Sequence, residues 1–358
     1  MMKRYIIIFL LSLLIAACQN TYSLPETPSE SGGNQPAIIT EPDDGTDTQT
    51  EVPDGTTDSE QPSGPDLQDV RPNEAGGVMI LMYHEVGGVE AEWTRSVDNF
   101  RADLETLYQN GYRPVHLRDF LRGNIDIPAG TSPFILTFDD GTAGQFRFSE
   151  VDGEWKLDPD CAVAVLLQMA EKYDDFTPAG TFYINYPLPF RQKNHIASKL
   201  ELLVNWGFEI GNHAYNHENL RKISRDEAVK ALAKHVKSTR EILPGYKVNT
   251  LALPYGARPK DDSHLARGEW GDTTYENLAI LLVGANPAPS PFHQNFNPLS
   301  LPRVRADGTE LYRWLDYYKT NPHLRYISDG DPTTVTVPAE NAELIDPLRL
   351  GDHTLQTY

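Results

Sequence analysis

The strongest constraint on this chain is an alternation that begins near Val78. Short apolar runs, "VMILMY", "FILTF", "TFYI", "FEIG", "TLAL" and "LAILL", recur between stretches with helical spacing. A run that is apolar at successive positions suits a strand covered on both faces. Helical stretches between such runs imply parallel βαβ units. In "SVDNFRADLETLYQNGY", Phe100, Leu104 and Leu107 fall on one helical face and Gly111 stops the helix. "SRDEAVKALAKHVKSTREIL" opens with Ser224 and Glu227, a capping box. "QFRFSEVDGEWKLD" reads as a hairpin turning at Asp152-Gly153. Counting "PRVRA", about seven strands result, and the expected fold class is α/β, a distorted (β/α) barrel. Functional groups in such barrels stand at the C-terminal strand ends.

Three of those ends carry chemistry. "FILTFDDGT" finishes in adjacent carboxylates, Asp139 and Asp140. Turn chemistry accounts for Asp and Gly there, but two neighbouring negative charges are costly unless a cation compensates them. "GNHAYNH" brings His213 and His217, four residues apart and so on one side of a helical turn. "LPYG" ends a third strand. Two imidazoles and one carboxylate, with a position left for water, form a catalytic Zn²⁺ geometry. Either Asp can be the third ligand, and the other is then available as a base. HxxxH alone also occurs on ordinary surface helices. Both features at successive strand ends make the stronger case.

These motifs, "TFDDGT", "GTFYIN", "EIGNHAYNHENL" and "LALPYG", resemble the polysaccharide deacetylases of NodB-homology type, carbohydrate esterase family 4, over about Val78 to Asp307. The resemblance implies that Asp140, His213 and His217 hold a divalent metal, usually Zn²⁺. It implies that Asp139 is the general base acting on water and that Tyr255 offers its backbone N–H to the oxyanion. The implied substrate is an acetylated polysaccharide. The implied reaction is removal of N-acetyl groups from a GlcNAc-containing polymer. The alternatives are an O-acetyl esterase acting on a glycan such as xylan, or a carbohydrate-binding lipoprotein whose site has decayed.

The chain also departs from the family pattern. Ala252 stands where many members have Arg, and the C-terminal Leu-x-His motif that supplies the general acid is not evident. "LMYHEVG" puts His84 at the end of the first strand, on the same face. This resembles a rearranged subgroup, including biofilm poly-N-acetylglucosamine deacetylases, in which such a His protonates the leaving amine. Arg303, in "LPRVRA", is the candidate to orient Asp139, with Arg305 as competitor, and His293 is a rival acid. Trp155 and Trp270 are the expected groove aromatics. Cys161 sits in an apolar helical pattern and reads as a buried small hydrophobe.

The N-terminus reads as a targeting segment. Lys3 and Arg4 precede an apolar stretch too short to span a membrane comfortably, and "LIAAC" resembles a lipobox with Cys18 as the lipidated residue. Between Thr21 and Gly76 there are 13 acidic residues against Arg71 alone, a composition that does not fold. The expected organisation is a signal peptide at 1–18, a disordered acidic linker at 19–76, a catalytic domain at 77–310 and a packed C-terminal extension at 311–358. As a tether the linker reaches roughly 40–45 Å. The expected location is extracytoplasmic, lipid-anchored to the cell membrane or outer membrane, with the anchor as the only membrane contact. A net charge of -20 argues against nucleic-acid binding.

Overall fold

The computed structural model describes residues 66–306 and 308–358. Cys18, the targeting segment and most of the acidic linker lie outside the described residues. The central sheet is parallel throughout. Its strands in chain order are β1 (Met79–Tyr83), β2 (Tyr112–Pro114), β3 (Ser132–Asp139), β4 (Thr181–Ile184), β5 (Glu209–Asn212), β6 (Thr250–Ala252), β7 (Ala279–Leu281) and β8 (Val304–Arg305). Their order in space is β7-β6-β5-β4-β3-β1-β8, with β2 paired to the first half of β3. The hairpin forms as expected, Phe148–Val151 against Glu154–Leu157, with Asp152 and Gly153 both at positive φ.

Strand alternation divides the core in two. Met79, Leu81 and Tyr83 of β1, Phe134, Leu136 and Phe138 of β3, and Phe182 and Ile184 of β4 face outward. There they meet helices α1 (Val97–Gln109), α2 (Ala162–Lys172) and α3 (Ile196–Asn205). The alternate residues Val78, Ile80, Ile135 and Tyr183 fill the barrel interior with Ala252 and Leu281. This is why the runs are apolar at every position. The parity carries on past the buried rows, so Asp139 and His84 fall in step with the interior set. Gly211 in β5 has a packing reason, because a Cβ there would lie 2.3 Å from the Tyr183 ring.

The barrel closes through one irregular segment. Leu301 donates its N–H to Ile280 and accepts from Leu282, against the β7 edge. Three residues later, Val304 and Arg305 pair with Leu81 and Met82 of β1. Arg303 lies between the two attachments, and its Nε donates to the Leu282 carbonyl at 2.8 Å.

The packed chain starts earlier than the expected boundary at residue 77. Asn73, Glu74 and Ala75 are buried. Asn73 bridges to Ile327, and the Glu74 N–H donates to the Thr336 carbonyl. An acidic, Pro-containing composition concealed this, because Glu74 is satisfied by partners some 250 residues away. Its carboxylate accepts from Tyr326 Oη and from the Thr336 N–H. The C-terminal part, with α5 (Glu310–Thr320) and a parallel pair Thr334–Val337 with Thr354–Thr357, therefore packs with residues that precede β1.

Candidate metal centre and active site

The end of β3 is built to hold two carboxylates apart. Asp139 is the last residue of the strand and points inward, where it is buried. Asp140 follows at φ 76° and Gly141 at φ 55°. A Cβ on Gly141 would press on Ile184 at 3.2 Å, so the glycine of "DDG" is needed for the turn as well. The turn and the site are one device, sending consecutive side chains to different partners.

Asp139 is gripped by Arg303. Nη1 donates to Oδ1 and Nη2 to Oδ2, both at 2.7 Å, and neither side chain reaches solvent. Nη1 also donates to Thr137 Oγ1 at 3.1 Å. Burial pushes the Asp139 carboxyl up, but Arg303, His213 and His84 outweigh it and hold it well below the usual carboxylate range. Arg305, the competing candidate, instead reaches Glu92 and the Trp93 ring.

Asp140 meets both histidines. Its Oδ1 lies 3.3 Å from His213 Nε2 and 3.2 Å from His217 Nε2, and the three donor atoms lie within 4.8 Å of one another. His213 Nδ1 is 2.9 Å from the Ala252 carbonyl, which can only accept. That bond fixes the tautomer and leaves Nε2 to coordinate. Burial pushes the His213 imidazole down, but the charges of Asp139 and Asp140 prevail and raise it. Burial raises the Asp140 carboxyl, yet His213 holds it below its ordinary value overall. Two imidazole nitrogens and one carboxylate oxygen so disposed fit a divalent ion of the Zn²⁺ type. The two histidines are not on a helix as their spacing suggested. Ala214 and His217 both adopt positive φ in the loop after β5, and the two non-helical turns fold His217 back beside His213, with ring centroids 4.8 Å apart.

The other expected residues separate clearly. Tyr255 also holds positive φ, at 58°, and its ring lies 4.4 Å from that of His217. Its backbone N–H has no intramolecular acceptor among the described residues. Non-glycine residues in this region cost of order 1–3 kcal/mol each and cluster at functional sites. His84 follows β1 and senses Asp139 and Asp140, although burial prevails and lowers its pKa. His293 is elsewhere. It lines a cavity of about 1200 Å³ with Gly77, Ala288 and Tyr318, next to residues that precede β1. Cys161 is buried at the N-terminus of α2. Trp155 packs on His195, and Trp270 lies under Lys230 on a hairpin against α4 (Arg225–Ile242).

Two residues near the site escaped the sequence reading. Gln145, six positions after Asp139, is buried and donates from Nε2 to the carbonyls of His84 (2.7 Å) and Asp139 (2.5 Å). It ties the ends of β1 and β3 together. Trp93 packs its ring on that of His84, centroids 4.7 Å apart. Each lies in a loop without periodicity. The only signal was position, shortly after a strand end.

Comparison with known proteins fits this geometry. Residues 127–268 match the family model described as polysaccharide deacetylase. The segment holds Asp139, Asp140, His213, His217 and Tyr255, while His84 and Arg303 lie outside it. Similar solved structures include a polysaccharide deacetylase from Bacillus cereus, 20% identical, covering 67% of this chain and 68% of that one, TM-score 0.48. IcaB from Ammonifex degensii is 17% identical over 68% and 97% of the two chains, TM-score 0.48. The Streptococcus pyogenes deacetylase PplD, in complex with acetate, is 18% identical over 67% and 97%, TM-score 0.47. No curated protein sequence matches the chain significantly. The family match to polysaccharide deacetylases covers residues 127–268, and the strand-end motifs that carry Asp139, Asp140, His213, His217 and Tyr255 run through it.

Proposed function

We propose that this protein is a metal-dependent hydrolase that removes N-acetyl groups from a GlcNAc-containing polysaccharide outside the cytoplasm. The single observation that carries the reading is the division of labour at the end of β3. Asp140 is turned to two histidines, and Asp139 is held ionised by Arg303. Asp140, His213 and His217 would hold the divalent cation, with Zn²⁺ as the first candidate. When bound there, such an ion lowers the pKa of water and polarises a carbonyl.

The protein's own groups supply the rest. Asp139, ionised throughout the neutral range, accepts the proton of the attacking water. The Tyr255 N–H donates to the oxygen that becomes negative, a type of contact worth roughly 3–4 kcal/mol in oxyanion holes. His84 gives a proton to the leaving nitrogen, and the C–N bond breaks to release acetate and a free amine. Amine departure requires that proton and alcohol departure requires it less. His84 at the site therefore favours an amide over an O-acetyl ester. A lipid on Cys18 would place the domain at the outer surface of a membrane, within reach of such polymers.

The test is acetate release from N-acetylglucosamine oligomers by the Zn²⁺-loaded chain, with Asp139→Asn as control. Release by the parent alone supports the reading. Release from O-acetylated xylan and none from the oligomers would replace it with the esterase.

A further inference from the structure

We propose that Trp93 is a stacking platform for the sugar ring that carries the scissile amide. The inference rests on the deacetylase reading above and extends it to the substrate's place on the surface. Three observations support it.

The first is position. The acyl end of the substrate faces the Tyr255 N–H and its nitrogen faces His84. The sugar is bonded to that nitrogen, so it would occupy the His84 side of the site. Trp93 packs against His84 there, its ring 4.7 Å from the imidazole at an angle of 59°. His84, Trp93 and Arg305 line one small cleft. The Arg305 guanidinium sits over the indole, 5.2 Å from its centroid, and also reaches Glu92.

The second is exposure. Trp93 is 43% exposed although it is among the largest apolar side chains in the protein. Close to half of its surface faces solvent, while His84 and the Arg305 guanidinium pack against part of its ring. An indole presented this way matches the C–H face of a pyranose, which is apolar and nearly flat.

The third is rigidity. The Glu85 N–H donates to the Trp93 carbonyl at 3.0 Å, and the Gly87 N–H donates to Arg95 at 2.8 Å. Arg95 grips the buried Asp103 of α1 through Nε (2.8 Å) and Nη2 (2.6 Å) and takes Glu90 at 2.6 Å. Glu90 also accepts from the Ser96 N–H. The loop is thus locked onto α1 before any ligand arrives, which reduces the ordering cost of binding.

Trp93 acts on substrate position and takes no proton. The experiment uses the full chain and the N-acetylglucosamine tetramer. Binding is measured by calorimetry in the Asp139→Asn background, alone and combined with Trp93→Ala or Trp93→Phe. Turnover of the tetramer and of p-nitrophenyl acetate is measured with Asp139 intact. Trp93→Ala should weaken tetramer binding by about tenfold or more, and Trp93→Phe should recover most of it. The loss of kcat/KM should be at least about tenfold larger on the tetramer than on the aryl ester and should appear mainly in KM. A tetramer loss that appears in kcat with KM and tetramer binding unchanged would mean that Trp93 only supports His84, and that result or equal losses on both substrates would overturn the platform. Unchanged tetramer binding would also overturn it, and acetate release by the parent would then leave the deacetylase reading standing. Trp93-dependent binding with no acetate released by the parent would keep the platform and sink the deacetylase reading. Neither binding nor release would remove both.

Discussion

Arg303 and Asp139 face each other through two parallel 2.7 Å hydrogen bonds, 164 residues apart in sequence and both hidden from solvent. Removing one partner of such a pair strands a charge in a low-dielectric interior. Arg303→Met should therefore cost about 3–5 kcal/mol in urea unfolding and abolish turnover. Adding Asp139→Asn should restore part of the stability and none of the activity, because the stranded charge has gone. A double variant no more stable than Arg303→Met would show that the pair is not coupled.

The metal reading predicts an effect on folding as well as on rate. An ion bound only to the native state stabilises it by mass action, by about 2.7 kcal/mol at a hundred times its dissociation constant. A chelator should lower the melting temperature and abolish turnover, and Zn²⁺ should restore both. His213→Ala should eliminate the chelator's effect, while Asp139→Asn should keep one bound ion by elemental analysis. Full turnover after exhaustive chelation would contradict the assignment.

His84→Ala separates acid catalysis from the remaining steps. A positioned acid contributes typically 10²–10⁴ in rate. The variant should lose about that factor on N-acetyl oligomers and far less on p-nitrophenyl acetate, whose leaving group needs no proton. Similar losses on both substrates would indicate a structural role for His84.

Glu74 predicts a pH dependence of stability unrelated to the active site. Burial, and then the charge of Asp329, push its carboxyl up to about 8, against hydrogen bonds from Thr336, Tyr326 and the Asp329 N–H. Between its ordinary 4.5 and about 8, the folded state keeps a proton that the unfolded chain has lost. The contribution is therefore fully present below the lower value and disappears as pH rises through the higher one, a swing of the order of a few kcal/mol. Glu74→Gln should flatten this part of the curve, measured as urea midpoints at about pH 5 and about pH 8. A parent midpoint that rises over that interval while the variant's stays level would reverse the sign and refute the argument.

Much of this molecule is legible in its sequence because burial on both faces leaves strands unusually apolar. β3 and β1 stand out for that reason, and the charged residues that end them stand out by contrast. Asp139, Asp140, His213 and His217 could be proposed as a group because each closes or follows such a run. What was hidden depends on geometry that has no period. The choice between Arg303 and Arg305 turns on which residue of a five-residue closing segment faces inward. The loop from His213 to His217 looked helical because the spacing of four is the same, yet positive φ at Ala214 and His217 breaks the helix. Trp93 had no pattern to mark it, while Trp155 and Trp270 stand exposed on hairpins, beside His195 and Lys230 respectively. Residues 66–76 carry the composition of a linker, and their partners beyond Leu324 are invisible to any local reading.

The closing segment at Leu301–Arg305 gives the enzyme a checkpoint in its own assembly. Until the chain past residue 300 has been made and docked, Asp139 has no cation beside it and the interior must hold it protonated or leave it wet. A truncated or half-assembled copy would present Asp140, His213 and His217 without the Arg303 that holds Asp139 ionised. Such copies, if they bind polymer at all, would do so without cutting it. On the hydrolase reading proposed above, catalytic competence would arrive with β8, after the residues that face Asp140 are already in place.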